Sequence, residues 1–209
     1  MSDTILDAWM MVIARDGWTG ARIDAVALAA GVSTGAVAAV ATDRWEALRG
    51  YGRSLDNAAL GEAGADSGAS VRDRLFTLLM ERFDAAQSQR AGAIELADAA
   101  RRDPGLAAFM LLSLPVSIAR IADAAGVATG GLLGPLRVQA LTALYVRVAR
   151  VWLADDSTDL SATMKELDTR LAQAETWARR MPYRAAPVTA DPAIPLLAAP
   201  RSMGDRPAG

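Results

Sequence analysis

The chain has 209 residues, of which 52% are apolar and 22% charged, enough to bury a sizeable core in one or two domains. It contains no cysteine and no histidine. This composition excludes disulfides and sulfur-ligated zinc and removes the commonest general base and metal ligand, so we expect no enzyme, no catalytic residue, no metal site and no cofactor. The net charge of −2 lacks the basic balance that is common among nucleic-acid binders.

The N-terminal residues do not resemble a signal peptide, because no basic segment precedes an apolar run and Asp3 and Asp7 interrupt the apolar positions. The chain also has no uninterrupted apolar run of the ~18 residues that a membrane span needs. We therefore expect no membrane span and a cytoplasmic protein.

Apolar residues spaced three and four apart predict four helices in the N-terminal part of the chain. These helices are predicted over residues 3–15, 22–30, 33–41 and 43–60. Gly17 and Gly31 are placed to end the first two helices, and Ser33 is a good N-cap for the third. Asp43, followed three residues later by Glu46, forms a capping-box pattern at the start of the fourth.

A small, polar, glycine-rich segment at 61–70 is interpreted as a linker, and four or five longer helices follow it. They are predicted over 71–87, 91–102, 106–125, 135–154 and 160–180. Pro115 lies in the middle of one of them and predicts a kink or a split there. From Met181 onward the chain holds six of its nine prolines, which predicts a disordered tail or an extended arm.

Fifteen positions in the first 48 residues follow, without gaps, the pattern of one family. They are Ile5, Leu6, Ala8, Gly17, Trp18, Ile23, Val26, Ala27, Ala30, Gly31, Val32, Ser33, Gly35, Val37 and Leu48, with Arg44 in place of the usual lysine. In these residues the chain resembles TetR/AcrR-type helix-turn-helix transcriptional regulators. The core residues Ile23, Val26, Val32 and Val37 are expected to set the angle between the two short helices.

This resemblance implies an all-α, TetR-like fold. It implies a helix-turn-helix module over residues 1–53 and a C-terminal helical regulatory and dimerisation domain over 54–181, after which the proline-rich composition predicts a tail over 182–209. It also implies a regulator that binds operator DNA and is released by an apolar small ligand.

Residues around the third helix are the candidate DNA contacts that the resemblance implies. They are Arg22, Ser33, Thr34, Gly35, Ala36, Ala38, Ala39 and Arg44. The chain departs from the family here, since Thr34 stands at the usual basic position and no Arg, Lys, Asn or Gln lies between Ser33 and Thr42 to read base edges. Residues 1–53 carry five arginines against six acidic residues, whereas a module that neutralises several phosphates is normally basic.

A second resemblance lies at 151–171 and supports an alternative function. The matching residues are Trp152, Leu153, Asp156, Ser157, Asp159, Leu167, Asp168, Arg170 and Leu171. They resemble the C-terminal segment of the TetR-like lipid-binding accessory proteins of ubiquinone biosynthesis. This implies a protein that binds an isoprenoid or another lipid and has weak or lost DNA binding.

Seven apolar residues of the C-terminal helices are candidates for lining a cavity for an apolar small molecule or lipid. They are Met80, Phe83, Phe109, Met110, Leu112, Tyr145 and Trp152. The alternative is that they form an ordinary hydrophobic core. The carboxylates between Asp155 and Asp168 are interpreted as helix caps and a solvated face rather than as a metal site.

The last two predicted helices each carry an apolar stripe. The stripes are Leu136, Ala140, Leu144, Val148 and Val151 on one helix and Leu160, Met164, Leu167 and Leu171 on the other. Two such helices from each of two chains would form a symmetric four-helix interface, so a homodimer through the last two helices is predicted. The alternative is that both stripes belong to the core of a single subunit.

Overall fold

The computed structural model describes residues 2–61 and 69–180, which form nine α-helices joined by loops. The helices are α1 (Ser2–Asp16), α2 (Ile23–Ala30), α3 (Thr34–Ala38), α4 (Arg44–Gly61), α5 (Val71–Gln87), α6 (Arg90–Ala100), α7 (Pro104–Ala125), α8 (Gly134–Trp152) and α9 (Ser161–Arg180). The predicted all-helical class is confirmed for these residues. Most of the interpreted linker and the whole Pro-rich tail lie outside the described residues, so both stay predictions.

The first three helices form a compact trio around a small apolar core. Val26 and Val37 are fully buried, and Ile23 and Val32 pack against the same cluster. Gly31 ends α2 with a φ of 66°, a left-handed conformation that an L side chain rarely adopts. The Val32 N–H then bonds back to the Ala27 carbonyl at 3.1 Å and closes the turn, as the predicted C-terminal glycine requires.

Helix α3 is shorter than the nine residues predicted, because only Thr34–Ala38 are helical. Its predicted cap is confirmed, since Ser33 Oγ accepts from the Ala36 N–H at 3.2 Å. Only five residues separate it from α4, and that connection uses the residues that were predicted to extend α3.

The cap at the start of α4 is a variant of the predicted capping box. The Glu46 N–H donates to Asp43 Oδ1 at 2.8 Å, as expected. The Glu46 carboxylate, however, accepts from the N–H and the hydroxyl of Thr42, at 2.9 and 2.7 Å. Thr42 offers two donors to one oxygen, and these hydrogen bonds lower the pKa of Glu46.

Helix α4 runs without interruption through the predicted boundary at residue 53. Its buried face carries Ala47, Tyr51, Leu55, Asp56 and Ala59. It packs against α1 on one side and against α5 and α7 on the other. The N-terminal trio and the C-terminal helices therefore share one rigid element.

Most of the apolar stripe residues of α8 and α9 lie inside the subunit. Leu144, Val148, Leu160, Leu167 and Leu171 are at most 9% exposed and belong to the subunit core. The structure therefore corrects the predicted interface at these residues, because the pairing of α8 with α9 and α5 already covers them.

Helix α7 neither splits nor ends at Pro115 but continues for 22 residues. One face buries Leu106, Ile118 and Ile121, whereas the opposite face leaves Leu112 and Val116 76% and 66% exposed.

By length and composition α7 is apolar enough to cross a membrane, with a mean hydropathy of 1.8 over its best window, of which 28% is buried. The sequence expectation of no span rested on the stricter requirement of an uninterrupted apolar run. A helix that packs on a subunit core meets the looser criterion too, and α7 packs against α4, α5, α6 and α8.

Candidate DNA-binding module and ligand-binding core

The candidate DNA contacts divide into an exposed and a packed group. Arg22, Ser33, Thr34, Gly35 and Ala39 are exposed at the beginning of α2 and along α3. Ala36, Ala38 and Arg44 are half-buried. The exposed group places one guanidinium, two hydroxyls and a stretch with no bulky side chain on the same two-helix unit.

Arg22 is the most accessible cation of this unit. It precedes α2 in an extended conformation, and its side chain is 77% exposed. Its Nε lies 3.5 Å from Asp24 Oδ1, whose side chain is 68% exposed. An ion pair this open contributes little stability, so Arg22 can exchange Asp24 for another anion at small cost.

Arg44 is engaged in packing within the N-terminal module. Its guanidinium lies 4.9 Å from the Trp18 ring centroid, and its Nη1 donates to the Thr19 carbonyl at 3.3 Å. Since the Arg44 Nε is buried as well, this arginine ties α4 to the loop after α1 and presents less charge outward than Arg22 does.

A row of aromatic rings joins the N-terminal module to the C-terminal helices. Trp18 meets Trp45 edge to face with centroids 4.8 Å apart, and Trp45 meets Phe109 of α7 at 5.2 Å. The Arg49 guanidinium also lies over the Phe109 ring, 5.6 Å from its centroid. Trp45 is absent from the family pattern, and its role was not predicted from the sequence.

A buried polar cluster holds four helices of the molecule together. Asp56 of α4 accepts from Arg82 Nε at 3.0 Å, from Ser117 Oγ at 2.5 Å and from Arg120 Nη1 at 3.1 Å. Arg82 also donates to the Tyr145 hydroxyl at 2.6 Å. Burial by itself lowers the pKa of Arg82, but Tyr145 and Asp56 outweigh it and raise that pKa, so the guanidinium stays charged.

This cluster was not predicted from the sequence, although one signal for it was present. Arg82 lies three, four and seven residues after Leu79, Leu78 and Leu75, so it occupies the apolar face of α5. A charged residue on an apolar face predicts a buried partner. The identity of that partner, Asp56, depends on how α4 packs against α5.

The seven predicted ligand-binding residues do not form one group. Phe83 stacks on Tyr145 with centroids 5.1 Å apart, meets Trp152 at 5.7 Å, and shares the core with the buried Met80. Trp152 Nε1 also donates to Gln87 Oε1 at 2.9 Å.

The other three predicted ligand-binding residues lie on different faces of α7. Met110 is partly buried, and Phe109 contacts Trp45 instead of Phe83. Leu112 is 76% exposed and faces away from the core. The helical turn of α7 explains the difference, because Met110 lies four residues after the buried Leu106 while Leu112 points to the opposite side.

Two surface clefts are lined by other residues than these seven. One, of about 460 Å³, lies at the end of α8 and the start of α9 and includes Arg147, Arg150 and Asp156. The second, of about 620 Å³, lies between α1, α4 and α5.

Solved structures similar to this chain are transcriptional regulators. A TetR transcriptional regulator from Nitrosomonas europaea ATCC 19718 aligns with a TM-score of 0.68 at 19% identity, covering 84% of this chain and 98% of that protein. A protein from Rhodococcus sp. described as a TetR-family transcriptional regulator aligns with a TM-score of 0.56 at 26% identity, covering 84% and 97%. A transcriptional regulator from Rhodococcus sp. Rha1 aligns with a TM-score of 0.54 at 20% identity, covering 85% and 97%.

No protein-family model matches the sequence, and a comparison with curated proteins finds no match. The similarity to solved structures nevertheless extends over nearly the whole length of each regulator. The chain therefore has the all-α TetR-like fold that was predicted.

Proposed function

We propose that the chain is a TetR-type transcriptional regulator that binds operator DNA through α1–α3 as a homodimer. The observation that carries this proposal is the compact helical trio with the exposed group Arg22, Ser33, Thr34, Gly35 and Ala39 on its α2–α3 unit. The solved structures of the same fold support it, since they are described as regulators.

The chemistry of the exposed group favours contacts with phosphates and with groove shape. Arg22 supplies a charge for a phosphate, and Ser33 and Thr34 supply hydroxyls. The methyl group of Ala39 suits an apolar contact with a thymine methyl, while guanine and adenine edges find no bidentate partner on α3. We therefore expect modest sequence discrimination and a shallow dependence on salt.

An apolar ligand in the C-terminal domain is the proposed effector, and α4 is the proposed route between the two parts. Tyr145 contacts both the Phe83 ring and Arg82, which is bonded to Asp56 of α4. A ligand that parts the Phe83–Tyr145 stack would therefore disturb the anchoring of α4. Such coupling requires the ligand to bind the DNA-free state more tightly than the DNA-bound state.

DNA binding is tested by selecting duplexes from a random pool with the full chain and titrating the enriched duplex at about 50 mM and about 200 mM salt. We expect binding at low salt that weakens at high salt. Arg22→Ala should lower the affinity severalfold and flatten the salt dependence. The matched control is Arg101→Ala, since Arg101 is 75% exposed and paired with Asp98 just as Arg22 is with Asp24. Absence of binding at low salt contradicts DNA binding, and equal effects of the two variants contradict the role of Arg22.

The homodimer is proposed to use the outward sides of α8 and α9, because the buried stripe residues are not available. Leu136, Ala140 and Ala143 are exposed on one side of α8, and Ala162 and Trp177 are exposed on α9. Light scattering after size exclusion should give a dimer that Ala140→Arg converts to a monomer. Ala91→Arg changes an exposed alanine on α6 and is the control. A monomeric wild type contradicts the dimer, and a dimeric Ala140→Arg variant contradicts this interface.

Lipid binding is a second candidate function, favoured by the exposed apolar face of α7. Leu111, Leu112 and Val116 are each at least 66% exposed on this helix. Organic extraction of the purified protein followed by mass spectrometry should then reveal about one isoprenoid or other lipid per chain. Protein that carries no lipid contradicts this candidate.

A further inference from the structure

One side of α7 presents an apolar stripe that the other described residues leave open. Leu112 and Val116 are 76% and 66% exposed, and Ala108, Pro115 and Ala119 lie on the same side of the helix, three and four residues apart. These five residues, none of them charged, are named the α7 face. An uncovered apolar stripe of this kind favours contact with another apolar surface.

Pro115 adds a hydrogen-bond acceptor to the α7 face. Proline has no N–H, so Pro115 cannot donate to the Leu111 carbonyl one turn earlier, as other residues of a helix do. The Leu111 carbonyl can accept from a peptide N–H, a donor that an acyl chain lacks. A peptide segment with apolar side chains therefore suits the α7 face better than a hydrocarbon alone.

The chain contains such a segment beyond α9, outside the described residues. Residues 192–200 are the longest uncharged stretch after Arg180 and include Ile194, Leu196 and Leu197. The three prolines of this stretch restrict its backbone, which lowers the conformational entropy that is lost when the segment binds. Residues 62–68, which also lie outside the described ranges, contain no large apolar side chain.

Helix α9 and the end of α7 meet at one end of the molecule, beside the start of α5. Arg72 of α5 donates to Asp168 of α9 at 2.6 Å, and Arg74 donates to the Ala125 carbonyl of α7 at 2.9 Å. Arg180, the last residue of α9, lies twelve residues beyond Asp168, which is about 18 Å of helix. The chain therefore leaves α9 toward the end of the molecule where α7 ends.

The intervening chain is long enough to reach the α7 face. The path back along α9 to Asp168, then along α7 from Ala125 to Val116, covers about 32 Å of helix, and the width of one helix adds about 10 Å. Residues 181–193 span at most about 43–47 Å when extended. Tethering also gives the segment an effective concentration on the order of millimolar, so a weak contact is enough to keep it bound.

We propose that residues 192–200 pack against the α7 face as an intramolecular strap. Ile194, Leu196 and Leu197 would cover Leu112 and Val116. The strap does not depend on DNA binding and so does not rest on the proposed regulator function. A lipid, or the same face of a second copy of the chain, would have to displace it.

Introduced cysteines test the strap in the full chain, because the sequence contains no cysteine of its own. Ala108→Cys combined with Ala198→Cys joins the α7 face to the segment. Ala124→Cys combined with Ala198→Cys is the matched control, since Ala124 is also exposed on α7 but lies outside the face and closer to the end of the helix. In dilute, delipidated protein under mild oxidation, the first pair should form its internal disulfide at least tenfold faster than the second.

Two results of this experiment would overturn the strap. Equal rates for the two pairs, or a faster control pair, would mean that the segment does not bind the α7 face. A covalent dimer that Ala108→Cys forms by itself, faster than the first pair forms its internal disulfide at the same protein concentration, would assign the face to a second copy of the chain.

Substitutions in the segment test whether apolar contact holds it. Leu196→Asp together with Leu197→Asp should slow the disulfide of the first pair to the rate of the control pair. Ala185→Asp together with Ala186→Asp adds the same charges between α9 and the segment and should leave the rate unchanged. None of these four positions belongs to the described helices. If both double substitutions have the same effect, the apolar side chains do not hold the segment and the proposal fails.

Discussion

Asp56 and Arg82 form an ion pair at 3.0 Å whose side chains are 3% and 7% exposed. The pair joins α4 to α5 inside the molecule. Ser117 and Arg120 of α7 also donate to Asp56, and Tyr145 of α8 accepts from Arg82. The Asp56 carboxylate thus ties α4 directly to α5 and α7, and through Arg82 to α8.

Removing that carboxylate should destabilise the protein strongly. Asp56→Ala leaves the Arg82 guanidinium buried without a counter-charge, and breaking such a pair typically lowers the free energy of unfolding by about 3–5 kcal/mol. Chemical denaturation monitored by circular dichroism measures the free energy of unfolding. Arg120→Ala, which removes a partner that is 41% exposed, should lower the free energy of unfolding by less than about 1 kcal/mol. Equal losses for the two variants would contradict a dominant role for the buried pair.

Two helical glycines should respond in opposite directions to alanine. At Gly92 an added Cβ would lie 2.6 Å from the Met10 carbonyl oxygen, so Gly92→Ala forces α6 away from α1 and should lower the free energy of unfolding by about 1–3 kcal/mol. At Gly52, inside α4, an added Cβ meets nothing within 4 Å. Gly52→Ala should therefore raise the free energy of unfolding by about 0.5–1 kcal/mol. Thermal denaturation of both variants checks the signs, and a stabilising Gly92→Ala would contradict the close approach of the helices.

Asp155 should make stability sensitive to acid. Its carboxylate accepts from the hydroxyl and N–H of Ser157 and of Thr163, and these bonds, those from Ser157 first, lower its pKa. A lowered folded-state pKa means that the stabilisation is complete above the unfolded pKa of about 3.9 and is lost as the pH falls toward the folded value.

Asp155→Asn should therefore be less stable than wild type at pH 7, and the gap should narrow below about pH 4. The urea concentration at which each protein is half unfolded, measured for wild type and Asp155→Asn at several pH values, gives this difference in stability. Asp98→Asn, which changes an exposed carboxylate, should show little gap at any pH. A gap for Asp155→Asn that stays constant into acid would contradict the assignment.

Arg44→Ala should destabilise the N-terminal module and weaken DNA binding only through that loss. The stacking on Trp18 is worth about 0.5–1 kcal/mol at a site of this exposure. Arg44→Lys keeps the charge but loses the planar contact with Trp18, so it should retain only part of this stabilisation. Comparing melting temperatures with DNA affinity separates this effect from that of Arg22→Ala, which should leave the melting temperature unchanged. A loss of affinity in Arg44→Lys without any loss of stability would point to a direct phosphate contact instead.

Helix α7 shows most clearly which features could be predicted from the sequence and which depend on tertiary packing. Its apolar spacing predicted a helix over 106–125, and the structure starts that helix at Pro104, where Asp103 caps it by accepting from the Gly105 and Leu106 N–H groups. Periodicity did not show that Phe109 meets Trp45 while Leu112 faces outward, because the direction of the buried face depends on where α4 and α8 lie. The domain boundary at residue 53 and the DNA contacts stay predictions.

By itself the sequence determined which segments are helical, where Gly31 and Ser33 stop and start them, and the resemblance to one fold. All of these depend on interactions within about one helical turn or on a recurrent spacing of residue types. Only the tertiary structure decided that Asp56 meets Arg82, that most of the α8 and α9 stripe residues are buried within one subunit, and that a cleft opens between α1, α4 and α5. Such contacts join residues far apart in the chain, and the relative placement of whole helices, which no short stretch of sequence encodes, brings them together.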